Sequence, residues 1–130
     1  MAAIGSEKAE ITRPVDLYVE GVRAGDAAKM REAFHPQAWM FGSVAGTRYD
    51  EPIGELITLV EEHPADVDGS FQARVVSVEQ VGDAAFVVLE EEGFWGTLSM
   101  TDFFTLVRID GAWRITNKTF AHTAGEPPAM

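Results

Sequence analysis

Residues 101–118 read Thr101-Asp102-Phe103-Phe104-Thr105-Leu106-Val107-Arg108-Ile109-Asp110-Gly111-Ala112-Trp113-Arg114-Ile115-Thr116-Asn117-Lys118. Two runs rich in β-branched and aromatic residues flank Asp110-Gly111, a dipeptide suited to a two-residue type I′ hairpin turn because both turn positions take positive φ. A two-residue loop pairs Ile109 with Ala112 and Arg108 with Trp113, and alternation then assigns every later side chain to a face. One face holds Trp113, Leu106, Ile115, Phe104, Asn117, Asp102 and Met100, apolar near the turn and polar at its far end. The other holds Val107, Arg114, Thr105, Thr116, Phe103 and Lys118, so regular pairing puts Lys118 on the far face.

The same argument applied to Gly82-Asp83 pairs Val81 with Ala84 and aligns Val78 with Val87, Val76 with Leu89, and Arg74 with Glu91. Joined as one concave surface, the two hairpins gather Arg74, Glu91, Asp102 and Asn117 at its open end. A β-bulge in either hairpin reverses the faces beyond it.

Working outward, residues 71–81, 84–92, 97–109 and 112–122 alternate with period two and form a long antiparallel meander. Before them the period is helical. A first helix runs from about Thr12 to Gly25, with Ile11, Val15, Tyr18 and Val22 on one face and Pro14 in its first turn. Asp26 N-caps a short second helix carrying Met30, Ala33 and Phe34, which the His35-Pro36 step stops. Residues 37–42 make a short strand. Asp50 caps a third helix with Ile53, Leu56, Ile57 and Val60 at i, i+3, i+4 and i+7, closed by Pro64. Helices first and strands after give an α+β domain, three N-terminal helices packed on a curved antiparallel sheet. One domain spans residues 1–130, with its core over about 12–122 and a frayed tail over 123–130.

Composition narrows the function. Ten Lys and Arg against 21 Asp and Glu give a net charge of −11, which repels nucleic-acid phosphates and anionic lipid surfaces within a Debye length of ~8 Å. No nucleic-acid or membrane role is expected. The absence of cysteine excludes disulfides, thiolate metal sites and cysteine nucleophiles, and the charged N-terminal stretch with Glu7, Lys8 and Glu10 points to a cytoplasmic protein. His35, His63 and His122 are scattered without local ligand spacing, so no metal site is expected. None of the serines sits in a GxSxG elbow, and no phosphate cradle occurs.

The step His35-Pro36, the segment Phe71-Gln72-Ala73-Arg74-Val75-Val76-Ser77-Val78 and the hairpin 101–118 together resemble the nuclear transport factor 2-like superfamily, specifically its branch described as putative lumazine-binding. More distantly they are similar to SnoaL-like cyclases and ketosteroid isomerases. The resemblance covers about residues 12–122. It implies a cystatin-like cone with a pocket between helices and concave sheet, and a homodimer formed through the sheets. It also implies a pocket carboxyl at Asp102, which lies on the strand where ketosteroid isomerases carry an acid. No clear partner tyrosine or second base matches the isomerase pattern. Fold alone does not choose a function within this superfamily.

The residues offer three readings. In the first, the chain binds a small hydrophobic or planar molecule in a pocket lined by Phe34, Trp39, Phe41 and Phe104, oriented by Asp102, Asn117, Arg74 and Glu91, with Tyr18 offering a phenol. In the second, it is a cofactor-independent isomerase or dehydratase in which Asp102, its charged form disfavoured by desolvation, moves a proton with help from His35 or Tyr18. In the third, the cone is filled and the domain is a dimeric scaffold. Each candidate also has a plain structural role: Arg74 with Glu91 as a cross-strand ion pair, His35 at a helix C-terminus, Tyr18 as core, and Asp102 bonded to backbone. Gly93-Phe94-Trp95-Gly96 reads as a turn with exposed aromatics.

Overall fold

In the computed structural model, which describes residues 4–128, the elements run α1 (Ile4–Ala24), α2 (Ala27–Ala33), β1 (Phe34–Val44), β2 (Thr47–Pro52), α3 (Ile53–Glu62), β3 (Gln72–Val81), β4 (Ala84–Phe94), β5 (Leu98–Ile109) and β6 (Ala112–Ala124). The helical stripes behave as their spacing dictates. Ile11, Val15, Tyr18 and Val22 of α1 are buried, as are Ile53, Leu56, Ile57 and Val60 of α3. Asp26 caps α2, its side chain accepting from the Lys29 amide at 3.2 Å. The six strands form one curved, unclosed sheet in the order β2-β1-β6-β5-β4-β3. All neighbouring pairs are antiparallel except β1 with β6, which is parallel. The helices cover one face, giving an α+β architecture. No helix among the described residues is long and apolar enough to cross a membrane.

Several boundaries differ from the sequence reading. Helix α1 begins eight residues before Thr12, with Glu7 in its first turn paired to Arg108 at 3.2 Å, so Pro14 lies inside the helix rather than in its first turn. β1 starts at Phe34, which places His35 and Pro36 in a strand instead of at a helix end. Asp50 does not cap α3. It belongs to β2, a strand the sequence reading lacked, and accepts from Trp39 Nε1 at 2.8 Å. The far end also holds more structure than a frayed tail: β6 reaches Ala124, and Thr97 Oγ1 donates to the Glu126 carbonyl at 2.6 Å.

Both hairpins begin in the expected register and then leave it. Ile109 faces Ala112 and Arg108 faces Trp113, with Asp110 and Gly111 at φ 52° and 81°, as a type I′ turn requires. Leu106 pairs with Ile115 but Thr105 pairs with Asn117, so Thr116 is an extra residue in β6. Its hydroxyl holds the irregularity by donating to the Thr105 carbonyl at 3.1 Å. From there to His122 the side chains of β6 change face: Asn117 turns outward and Lys118 turns in. In the other hairpin Val78 faces Val87 as expected, whereas Val76 is the extra residue, so Val75 faces Leu89 and Arg74 faces Glu90.

Next to the inward Lys118, Phe120 closes over Gly42, its neighbour in β1. A Cβ on Gly42 would lie 2.5 Å from the Phe120 carbonyl oxygen and 2.7 Å from its ring. Gly42→Ala is therefore expected to cost about 1–3 kcal/mol through overpacking, read as a lower urea midpoint at unchanged slope.

Candidate functional site

The inner face of the sheet is apolar through Val87, Leu89, Phe104, Leu106 and Ile115. Following those strands toward their open end, alternation delivers Glu91 from β4, Asp102 from β5 and, through the Thr116 bulge, Lys118 from β6. Their relative exposures are 2%, 0% and 3%. Charged residues are almost never buried to this degree unless paired. Tyr18 of α1 descends onto them: its phenol lies 3.1 Å from Glu91 Oε2 and 3.3 Å from Asp102 Oδ2. Lys118 Nζ stands 3.6 Å from Asp102 Oδ1 and 3.9 Å from the centroid of the Phe120 ring. Phe34 and Phe104 meet the Tyr18 ring edge-on, fixing the phenol from both sides.

One phenolic proton cannot serve two carboxylates. Burial first, and then the negative charge of Asp102, push the Glu91 carboxyl well above the ordinary carboxylate range. Burial, with the two carboxylates, likewise raises the Tyr18 phenol. Burial and the neighbouring carboxylate thus favour the neutral form of Glu91, beside the contact between Asp102 and Lys118. Glu91 Oε1 and Asp102 Oδ1 find no hydrogen-bond partner among the described residues.

Beside Lys118 lies a small, partly open cavity of about 30 Å³, walled by Met40, Tyr49, Leu56, Phe94, Met100 and Phe120 among others. That volume admits one or two waters. Two larger, open hollows of about 690 and 450 Å³ lie at the surface, one beside Ser43, Arg48 and His122 and the other beside Gln72, Arg74 and Thr101.

Residues 6–121 match the family described as "Putative lumazine-binding". The chain belongs to that family. Solved structures place this lumazine-binding-type chain in the nuclear transport factor 2-like superfamily. A nuclear transport factor 2-like protein of unknown function from Shewanella baltica superimposes with a TM-score of 0.86 at 26% identity, covering 96% of this chain and 100% of that one. Another, from Methylobacillus flagellatus, gives 0.84 at 28% identity over 95% and 96% of the two chains. Among curated proteins, an aldolase, FrzH, from Cladobotryum sp. is 29% identical over 103 residues, 79% of this chain and 81% of its own length.

Within this lumazine-binding-family cone, the sequence-derived candidates divide by face. Tyr18, Glu91 and Asp102 come together; Phe34 and Phe104 pack around them. Four other expectations are corrected. Asn117 points outward because of the Thr116 bulge and accepts from Thr119 Oγ1 at 2.8 Å. Arg74 is exposed and paired with Glu90, not Glu91, because of the Val76 bulge. Trp39 and Phe41 alternate to the outer face of β1, 38% and 43% exposed. His35 is committed locally, its Nδ1 accepting from the Gln37 amide at 3.0 Å, away from the buried cluster.

Phe94 and Trp95 are not exposed turn aromatics either. Phe94 is buried, and Trp95 Nε1 donates to the His63 carbonyl at 2.7 Å. Lys118 is the residue that the sequence reading assigned to the wrong face. The sole signal for it was that a single extra residue anywhere between Leu106 and Lys118 reverses it. No cluster of three or more His, Asp or Glu suited to a metal occurs among the described residues.

The raised Glu91 carboxyl carries a pH signature. A group whose folded-state value lies above its unfolded value stabilises the fold fully at acid pH, and that contribution is lost as pH rises through the folded-state value. Thermal stability of the wild type is expected to fall as pH climbs above the ordinary carboxylate range. Glu91→Gln, which fixes a neutral side chain of the same shape, should flatten that slope; melting curves across pH compare the two.

Proposed function

We propose that this chain binds a small molecule inside the cone, at the cavity that Lys118 lines, with Asp102 behind the lysine and Tyr18 and Glu91 beyond it. The observation that carries this reading is the burial of an incompletely bonded acid–acid–lysine–phenol group in an otherwise apolar interior. Such a group costs stability that an apolar core of the same shape avoids, and clusters of this kind concentrate at functional sites. Membership of a family described as lumazine-binding supports it. Met40 and Met100 line the cavity; their unbranched side chains re-pack readily, which lets a site of about 30 Å³ widen around a guest.

Native mass spectrometry of purified protein, together with thermal-shift screening of small planar compounds, tests this. A retained or stabilising compound is expected for the wild type, and Met100→Phe, which fills the cavity, should abolish it. Binding that survives Met100→Phe unchanged rules the cavity out, and failure of every compound leaves a filled scaffold.

A second reading is that the site performs cofactor-free proton transfer. It is favoured by two neighbouring carboxyl groups of which one, Glu91, is driven toward its neutral form by burial, an environment suited to a general acid beside a second carboxyl. Glu91 is then the acid and Asp102 the base, and the similarity to a protein named as an aldolase is consistent with such chemistry. Asp102→Asn should lower turnover at least ~100-fold while changing ligand affinity only a few-fold, whereas collapse of affinity itself favours pure binding.

We also infer a homodimer through the outer sheet face. Trp39, Phe41, Val76 and Phe103 stand exposed there, and Phe86 leans on Phe103 with ring centroids 5.6 Å apart. Sedimentation at micromolar concentration should give twice the chain mass, and Phe103→Asp should give one; a monomeric wild type refutes the dimer.

A further inference from the structure

The Tyr18 phenol lies within hydrogen-bonding reach of both carboxyl groups, whereas Lys118 meets Asp102 at longer range. Its Nζ stands 3.6 Å from Asp102 Oδ1, an ion pair longer than a close hydrogen bond. The side chain is 3% exposed and lines the partly open cavity. An ammonium only donates. Facing a hollow whose other walls are mostly apolar, with Tyr49 and Trp95 among them, it calls for an acceptor oxygen on whatever enters.

We propose that Lys118 is the polar anchor of this cavity and that the occupant is a neutral, largely apolar molecule presenting a carbonyl oxygen to its Nζ. The inference rests on the small-molecule reading above and names the chemical class that reading leaves open.

Neutrality follows from the charge count. The ammonium already faces Asp102 at 3.6 Å, and the acids Glu91 and Asp102 outnumber it in this interior, so an anionic guest would add a further negative charge to an apolar space. It would also approach a chain of net charge −11. A cationic guest meets the ammonium directly. The apolar body follows from the walls, in which Met40, Leu56, Phe94, Leu98, Met100 and Phe120 leave Lys118 as the charged member. A carbonyl fits better than an alcohol or amine because its oxygen brings no donor of its own to a site whose lysine offers nothing but N–H groups.

The probes are acetophenone, its hydrocarbon counterpart ethylbenzene, and benzoate, measured by calorimetry against wild type, Lys118→Met and the double variant Lys118→Met/Asp102→Asn. The double variant removes both members of the ion pair and so avoids leaving a buried unpaired charge. Wild type is expected to bind acetophenone about tenfold or more tighter than ethylbenzene, as a charge-assisted hydrogen bond implies, and tighter than benzoate. In the double variant the acetophenone-to-ethylbenzene ratio should fall to about one.

Infrared spectroscopy of the wild-type complex needs no variant: the bound ketone's carbonyl stretch should lie below its frequency in hexane. Equal affinity for acetophenone and ethylbenzene, a preference for benzoate, an unshifted stretch, or a preference that survives in the double variant each overturns the proposal. Equal binding of ketone and hydrocarbon leaves the small-molecule reading standing, whereas binding of none of the three defeats both.

Discussion

One extra residue in β6 decides what the interior contains. Without Thr116 the strand would present Asn117 to the core and Lys118 to solvent, and two acidic side chains would face a phenol and an amide with no cation among them. The bulge exchanges these positions, and the Thr116 hydroxyl on the Thr105 carbonyl keeps the exchange in place. Because β5 and β6 are joined by a two-residue turn at one end, the added residue cannot be absorbed there, and it turns over the strand from there to His122.

The cluster that results is held by shape as much as by charge. Phe34 and Phe104 pin the Tyr18 ring, the α1 stripe sets the depth of the phenol, and Phe120 lies under the Lys118 ammonium. Phe120 can take that position because Gly42 leaves room for it. Burial then determines protonation. With two carboxyl groups and one ammonium in an apolar space, neutralising Glu91 costs less than keeping it ionised. An apolar core would be simpler and at least as stable.

Much of the fold could be read from the chain because its strongest signals are local. Asp110-Gly111 and Gly82-Asp83 set two hairpins, and the stripes through Tyr18 and Val60 set two helices. Asp26 also caps where its chemistry says it should. What escaped the reading has physical reasons. Thr116 and Val76 look like ordinary strand residues, and nothing in an alternating run marks which member is unpaired. The β1–β2 turn uses Ala45 at φ 49° before Gly46, a conformation alanine seldom adopts, so the turn lacks its usual signature. β2 itself, Thr47-Arg48-Tyr49-Asp50-Glu51-Pro52, is too polar to resemble a strand and survives as one because it lies at the sheet edge. Tyr18, Glu91 and Asp102 were legible as candidates; their mutual contact depended on inward alternation that held in β4 and β5, whereas bulges reversed it in β3 and β6.

The parallel pairing of β1 with β6 has a consequence for how the molecule comes into being. Phe34 lies beside Ile115 and Met40 beside Lys118, so strands from nearly opposite ends of the chain must find each other before the sheet is whole. Such distant contacts are entropically slow to close. During synthesis, α1, α2 and the β1–β2 hairpin emerge long before the strand that joins them to the β3–β5 portion. Until that last strand arrives, the acids of β4 and β5 lack their cation and the helices lack part of the sheet they pack on, leaving a greasy and partly charged surface open to chaperones. The lysine that completes the interior is thus among the final pieces delivered.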